Sequence, residues 1–247
     1  MSPSRHHHYL AHELPQRWCH PRYLHDVLQW DVAVWSQALN MWSHILPPSL
    51  KGLQALELGA AGGGPSLWLA VQGATVTCSD ITSPAERAQP LHQRYRTAIN
   101  YAAIDARALP FASESLDIIC CKSVLGGIRK KSHLDPKPQI ISEIHRVLKP
   151  GGYLLSADNL SGHSLHQQLR QRFVVWSEGW EYFTVPETLD LLSPFWQVHY
   201  TTAGLSALVG RTPTQRSFLG TIDFCVSPYF SGQPPHYMLA TVARKEL

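Results

Sequence analysis

The chain has 247 residues, of which 44% are hydrophobic and 16% charged, with a formal net charge of +3. That balance excludes a disordered chain and fits one α/β core carrying added helices. The densest basic run is Arg129, Lys130 and Lys131; it reads as a solvated loop, and without a basic face nucleic acid is not expected as an obligate partner. No stretch reaches the ~18 apolar residues of a membrane span, and a signal-peptide core is absent near the start, so a soluble, cytoplasmic protein without membrane insertion is expected.

Five cysteines, with Cys120 and Cys121 adjacent in an apparent buried strand, show no regularly spaced pairs and read as core thiols in a reducing compartment. The run His6, His7 and His8 is no basis for a metal site.

Residues 1–50 read as an N-terminal helical extension or lid. Leu28, Val32, Trp35, Leu39, Trp42 and Ile45 or Leu46 recur every three or four positions from about Leu24 to Leu46, which predicts one amphipathic helix. Pro47 and Pro48 end it. From residue 51 onward short apolar runs alternate with helical segments, the pattern of a parallel sheet with crossover helices. Strands are predicted at 55–58, 74–80, 102–105, 116–122 and 152–159, with helices at about 65–72, 85–100 and 138–148. Lys149, Pro150 and Gly151 stop the last of these helices. A helix at 186–192 and strands at 196–203 and 236–244 follow. The Gly, Pro and Ser-rich stretch 204–235 reads as a long connection, of the kind that tends to be functional or mobile.

The segment ALELGAAGGGPSLWLA joins the first strand to the first core helix through glycines, which lets a ligand approach the backbone and its exposed amides. Dinucleotide-binding proteins also use such turns. Here an acidic residue leads, in the order E-x-G-x-A-x-G: Glu57, Gly59, Ala61 and Gly63. A carboxylate at that point suits a ligand bearing an ammonium group and repels a pyrophosphate. The next strand ends in Asp80, 23 positions after Glu57, with Ile81 beside it. Asp80 suits either a ribose diol or the capping of a turn. The third strand runs into IDARALPF, the fourth is LDIICCK, and HRVLKPGGYLL leads into the fifth.

Taken together, residues 52–160 resemble the class I S-adenosylmethionine-dependent methyltransferases. The resemblance implies a seven-stranded, mostly parallel sheet with an antiparallel last strand and helices on both faces. S-adenosylmethionine is the implied cofactor. Glu57, Gly59, Ala61 and Gly63 would hold its methionine part, Asp80 and Ile81 the ribose, and Asp105 and Ala106 the adenine, while Cys121 and Lys122 would touch it through their backbone. Ala61 stands where the family has a middle glycine, so the path of the turn is open to change.

A methyl acceptor is expected beyond the carboxyl ends of the fourth and fifth strands, where open α/β sheets bind ligands. Catalytic candidates there are His163, His166, Ser123 and Asp158, with Arg129 and Asn159 nearby; the histidines also read as ordinary surface or capping residues. Trp30 and Trp35 read as core more readily than as pocket walls, whereas Trp176, Trp180, Tyr182 and Phe183 are better pocket candidates. No metal is expected, because Asp135, Asp158 and Asn159 make no convincing set. The implied function is methyl transfer to an oxygen or nitrogen of a small metabolite or glycan-type acceptor, in a secondary-metabolite or surface-polysaccharide pathway, by a monomer or homodimer. A protein or RNA acceptor, and a non-catalytic binding protein of the same fold, are the other readings.

Overall fold

A computed structural model of the chain describes residues 6–9, 20–128, 135–161, 180–205, 212–226 and 236–247. Its strands are β1 (His6–His8), β2 (Gln54–Leu58), β3 (Thr75–Asp80), β4 (Ile99–Ala103), β5 (Leu116–Lys122), β6 (Leu148–Asn159), β7 (Gln197–Ala203) and β8 (Met238–Arg244). Seven α-helices accompany them among the described residues: α1 (Pro21–Leu28), α2 (Val32–Ile45), α3 (Gly64–Val71), α4 (Ala85–Arg94), α5 (Lys137–Val147), α6 (Val185–Leu191) and α7 (Pro213–Val226).

The strands form one sheet in the order β1-β7-β8-β6-β5-β2-β3-β4. Only β8 runs antiparallel to its neighbours, β6 and β7. The seven strands expected from the sequence are therefore present with the reversed last strand, and β1 adds an eighth, parallel to β7 at the edge. Nothing in a three-histidine segment announces a strand, so β1 was not foreseen; it forms because β7 offers an unpaired edge.

The central strands β2 and β5 are buried on both faces and read as near-continuous apolar runs. On one face Ala55, Ile118, Cys120, Leu155 and Ala157 pack under α1, α2 and α3. On the other, Leu56, Leu58, Ile119, Cys121 and Leu154 pack under α5. Side chains alternate along a strand, so Glu57 and Lys122 share the face of Ala55 and Cys120. Asp158 falls on the opposite face, next in line after Ala157.

Several boundaries differ from the sequence reading, among them the start of β6, which includes Lys149, Pro150 and Gly151. The single helix expected over 24–46 is two helices, broken where Gln29 and Asp31 take left-handed φ values of 70° and 46°. The apolar spacing continues through that corner, which hid it. The helix expected to run to Asn100 stops at Arg94, and β4 starts at Ile99, so Asp105 lies in the loop beyond the strand. The connection 204–235 contains α7, which packs on α2. Among the described residues, no helix is long and apolar enough to cross a membrane.

The N-terminal helices are bound to the core by close backbone contact. The Trp42 indole donates to the Thr241 carbonyl of β8 at 3.1 Å, and α1 rests on the start of α3. A Cβ placed on Gly64 would lie 1.9 Å from the Val27 carbonyl oxygen, so only glycine admits that approach. Gly64→Ala should therefore lower stability by about 1–3 kcal/mol through overpacking, read from the midpoint of a denaturant titration. An unchanged midpoint would show that α1 does not depend on this contact.

Candidate active site

Three residues of the turn after β2 have left-handed backbones: Gly59 (φ 64°), Ala61 (φ 47°) and Gly63 (φ 73°). They are the motif positions after Glu57, so Ala61 keeps the conformation of the glycine it replaces, at a cost of about 1 kcal/mol. Its amide donates to Asp80 Oδ2 at 3.0 Å, which helps hold it there. At Gly59 a Cβ would come within 2.5 Å of the Val124 side chain. Gly62 and Gly64 face the N-terminal helices, since a Cβ at Gly62 would meet Gln29 at 2.2 Å.

Glu57 ends up buried, 2% exposed, beneath the first turn of α3. Gly63 offers no side-chain cap to that helix. Glu57 Oε2 fills the role, accepting from the Ser66 amide at 2.8 Å and from the Ser66 hydroxyl. Its other oxygen, Oε1, accepts no hydrogen bond from a described residue. Burial pushes the carboxyl pKa up to about 8, against the opposing pull of Ser66 and Lys122.

Two supports stand behind the turn. The Ser79 hydroxyl donates to the Glu57 carbonyl at 2.6 Å. His92, buried and held below its usual pKa by that burial, faces the Gly63 carbonyl at 2.8 Å and the Tyr101 hydroxyl at 2.6 Å. A carbonyl can only accept, so Nε2 carries the proton and Nδ1 accepts from Tyr101. Sequence reasoning missed His92, because nothing near it in the chain marks it as a partner of the glycine turn.

Asp80 uses its second oxygen to accept from the Ile81 amide at 2.7 Å; each oxygen keeps a further lone pair. Ile81 leaves its apolar side chain 65% exposed at the strand end. Asp105 is closed by Arg107, whose Nε and Nη2 reach its carboxylate at 2.9 and 2.5 Å. Ala106 packs against the second core cluster, and so does Cys121, whose thiol is turned away from the face carrying Glu57.

Lys122 is the side chain that the sequence underrated. Its Nζ stands 4.7 Å from the ring centre of Trp35, a fully buried residue of α2. Burial brings its pKa down to about 8, while Glu57, Cys120, Asp158 and Asp31 pull it back up. Asp31, at the corner between α1 and α2, accepts a hydrogen bond from the Tyr237 hydroxyl.

Beyond β5, Ser123 has a left-handed φ of 55° and donates its amide to the Ala157 carbonyl at 2.7 Å. Asp158 Oδ1 accepts from the Gly126 amide at 3.2 Å and so secures the short 3₁₀ turn Leu125–Gly127. Burial raises the Asp158 pKa to about 7, opposed by the Gly126, Leu125 and Val124 amides and by Lys122. Buried Ser123 Oγ, Asp158 Oδ2 and Asn159 Oδ1 have no hydrogen-bond partner among the described residues. His163, His166, Arg129 and Trp176 lie outside the described residues. Tyr182 and Phe183 line a cavity of about 460 Å³ beside Lys137 and Glu181. Among the described residues no group of three or more His, Cys, Asp or Glu side chains is placed to hold a metal ion.

Residues 56–156 match the family model described as a methyltransferase domain. Methyltransferase GfsG of Streptomyces halstedii is 32% identical over 113 residues, 43% of this chain and 38% of that protein. The ubiquinone biosynthesis O-methyltransferase of Pseudomonas putida is 33% identical over 106 residues, 42% of this chain and 43% of that one. The chain thus spans less than half the length of these curated relatives. The crystal structure of YcgJ from Bacillus subtilis superposes with a TM-score of 0.60 at 16% identity, covering 86% of this chain and 99% of that one. The fold is that of the class I S-adenosylmethionine-dependent methyltransferases, with the match to the methyltransferase domain confined to residues 56–156. S-adenosylmethionine is the cofactor that this fold implies.

The residues present fit that cofactor. Glu57 Oε1 is an acceptor left over for an ammonium, Asp80 retains lone pairs for a diol, and Ile81 offers an exposed apolar surface beside it. An ammonium against Glu57 favours the carboxylate, so binding at pH 7 should release close to one proton, and affinity should rise with pH up to about 8. Calorimetry with S-adenosylhomocysteine in buffers of different ionisation enthalpy measures the release. Glu57→Gln should abolish it and weaken binding by about tenfold or more. Heats that do not vary with buffer would show that Glu57 is already ionised.

Proposed function

We propose that this chain transfers a methyl group from S-adenosylmethionine to an oxygen or nitrogen of a small-molecule acceptor, of secondary-metabolite, quinone or glycan type. The observation that carries the reading is Glu57, buried at the end of β2 with one carboxylate oxygen uncommitted, in a turn whose three motif positions are all left-handed. The names of the relatives support it in kind: one is a methyltransferase and another an O-methyltransferase of ubiquinone biosynthesis.

In this reading Glu57 and the turn from Gly59 to Gly63 hold the amino-acid end of the cofactor. Asp80 and Ile81 hold its ribose side. Asp105 and Ala106 flank the base, with Arg107 fixing the Asp105 carboxylate, and the backbone at Cys121 and Lys122 closes the near wall. The cofactor supplies an electrophilic sulfonium methyl, so the protein's main task is to align the acceptor. A base is needed only for an acceptor that loses a proton. Asp158 suits that task best among the described candidates, because Oδ2 is uncommitted and its pKa lies near neutrality. Ser123, His163 and His166 are the other candidates for acceptor contact. Residues 1–50 serve as the extension that covers the cofactor side of a core formed by 51–247. The setting is a cytoplasmic biosynthetic enzyme, monomeric or a homodimer, without a nucleic-acid partner.

The test is incubation of the purified chain with methyl-deuterated S-adenosylmethionine and fractionated cell extract. A labelled product in the small-molecule fraction is expected, whereas label confined to protein or RNA would move the acceptor to a macromolecule. With an acceptor in hand, Asp158→Asn should lower kcat by about 10²-fold or more and leave S-adenosylhomocysteine affinity unchanged. An unaltered kcat would remove Asp158 as the base.

A further inference from the structure

Lys122 is not explained by the sheet it belongs to. Its ammonium sits over the Trp35 ring and makes no hydrogen bond or ion pair with any described residue. The described residues give this half-buried ammonium no acceptor, and a cation so placed at a strand end beside the proposed ligand site points to an anion that arrives with the ligand. The register says which part of the ligand it meets. Glu57 on β2 lies opposite Cys120 on β5, and Lys122 is two residues further on the same face. That offset places the Cα atoms of Glu57 and Lys122 roughly 8 Å apart, from strand spacing and rise.

A carboxylate with an uncommitted oxygen and an ammonium without acceptors thus stand side by side, the arrangement that complements a zwitterion. We infer that Lys122 is a cofactor-positioning residue whose ammonium binds the carboxylate of the cofactor's amino-acid end while Glu57 takes its amino group. The Trp35 ring holds the ammonium over its face. The N-terminal extension therefore contributes to cofactor recognition through α2, although Trp35 itself is fully buried. The inference rests on the proposed methyltransferase reading and assigns Lys122 a side-chain role beyond the backbone contact given above.

The acceptor is the other source of such an anion, and a lysine over an aromatic ring can also serve packing alone. Calorimetry separates these with two ligands and two variants. S-adenosylhomocysteine carries the amino-acid end; 5′-deoxy-5′-methylthioadenosine has the same nucleoside and sulfur without it. Lys122→Met keeps an unbranched apolar side chain, one atom shorter, and removes the charge, and Lys122→Arg keeps the charge.

The expected result is that Lys122→Met weakens S-adenosylhomocysteine binding by at least about tenfold and leaves methylthioadenosine affinity within about twofold, with Lys122→Arg restoring most of the loss. Equal weakening of both ligands, or of neither, would overturn the inference and leave Lys122 a packing residue. Unchanged S-adenosylhomocysteine affinity with a raised KM for the acceptor would overturn it in favour of an acceptor anion. If the wild-type chain binds neither ligand, the methyltransferase reading falls, and this inference with it. Thermal unfolding of both variants confirms that the sheet is intact.

Discussion

A carboxylate buried where β2 gives way to α3 sets the terms for everything around it. Glu57 cannot be left alone in an apolar sheet, so Ser66 binds it from the helix above and Ser79 braces its backbone from the strand beside it. The helix gains an N-terminal cap that Gly63 cannot supply. The turn between strand and helix must then be tight enough to bring Ser66 over Glu57, which requires left-handed backbone at Gly59, Ala61 and Gly63. Asp80 and His92 secure that shape from the two neighbouring elements. The shape of the turn is thus a consequence of satisfying one buried acidic group, with one of its oxygens left over.

The same constraint explains the N-terminal helices. A glycine turn with so little side chain leaves its outer surface open, and α1 and the α1–α2 corner fill it, with the Val27 carbonyl against Gly64 and Gln29 against Gly62. The helices therefore share the core under the first face of the sheet. Their corner brings Asp31 into the electrostatic surroundings of Lys122, and α2 brings Trp35 against it. The extension is part of the construction of the turn.

On the acceptor side the polar groups divide between the two faces. Lys122 joins Glu57, while Asp158 lies on the opposite face and secures the turn at Leu125–Gly127. That turn also meets the segment at Trp180, since a Cβ on Gly126 would strike the indole. The crevice beyond these strands therefore lies between a face built from β2 and β5 and a loop hung from β6.

Much of this was legible in the chain. Alternating apolar runs and glycine stops defined the parallel core, and the acidic lead of the E-x-G-x-A-x-G segment and its distance to Asp80 singled out the left-handed turn as the candidate cofactor site. These are local properties: strand faces follow from alternation, and left-handed turns follow from glycine, so residues close in sequence declare them. The break at Gln29–Asp31, the β1 edge strand, the His92 bond to Gly63 and the closure of Asp105 by Arg107 were not legible. Most of these depend on groups brought together across the fold, and neither an apolar stripe nor a lone histidine records its distant partner. Lys122 shows the division most clearly. Sequence placed it at the end of a buried strand, beside the candidate cofactor turn; only the packing of α2 over β5 set it on Trp35, near Glu57 and without an acceptor among the described residues.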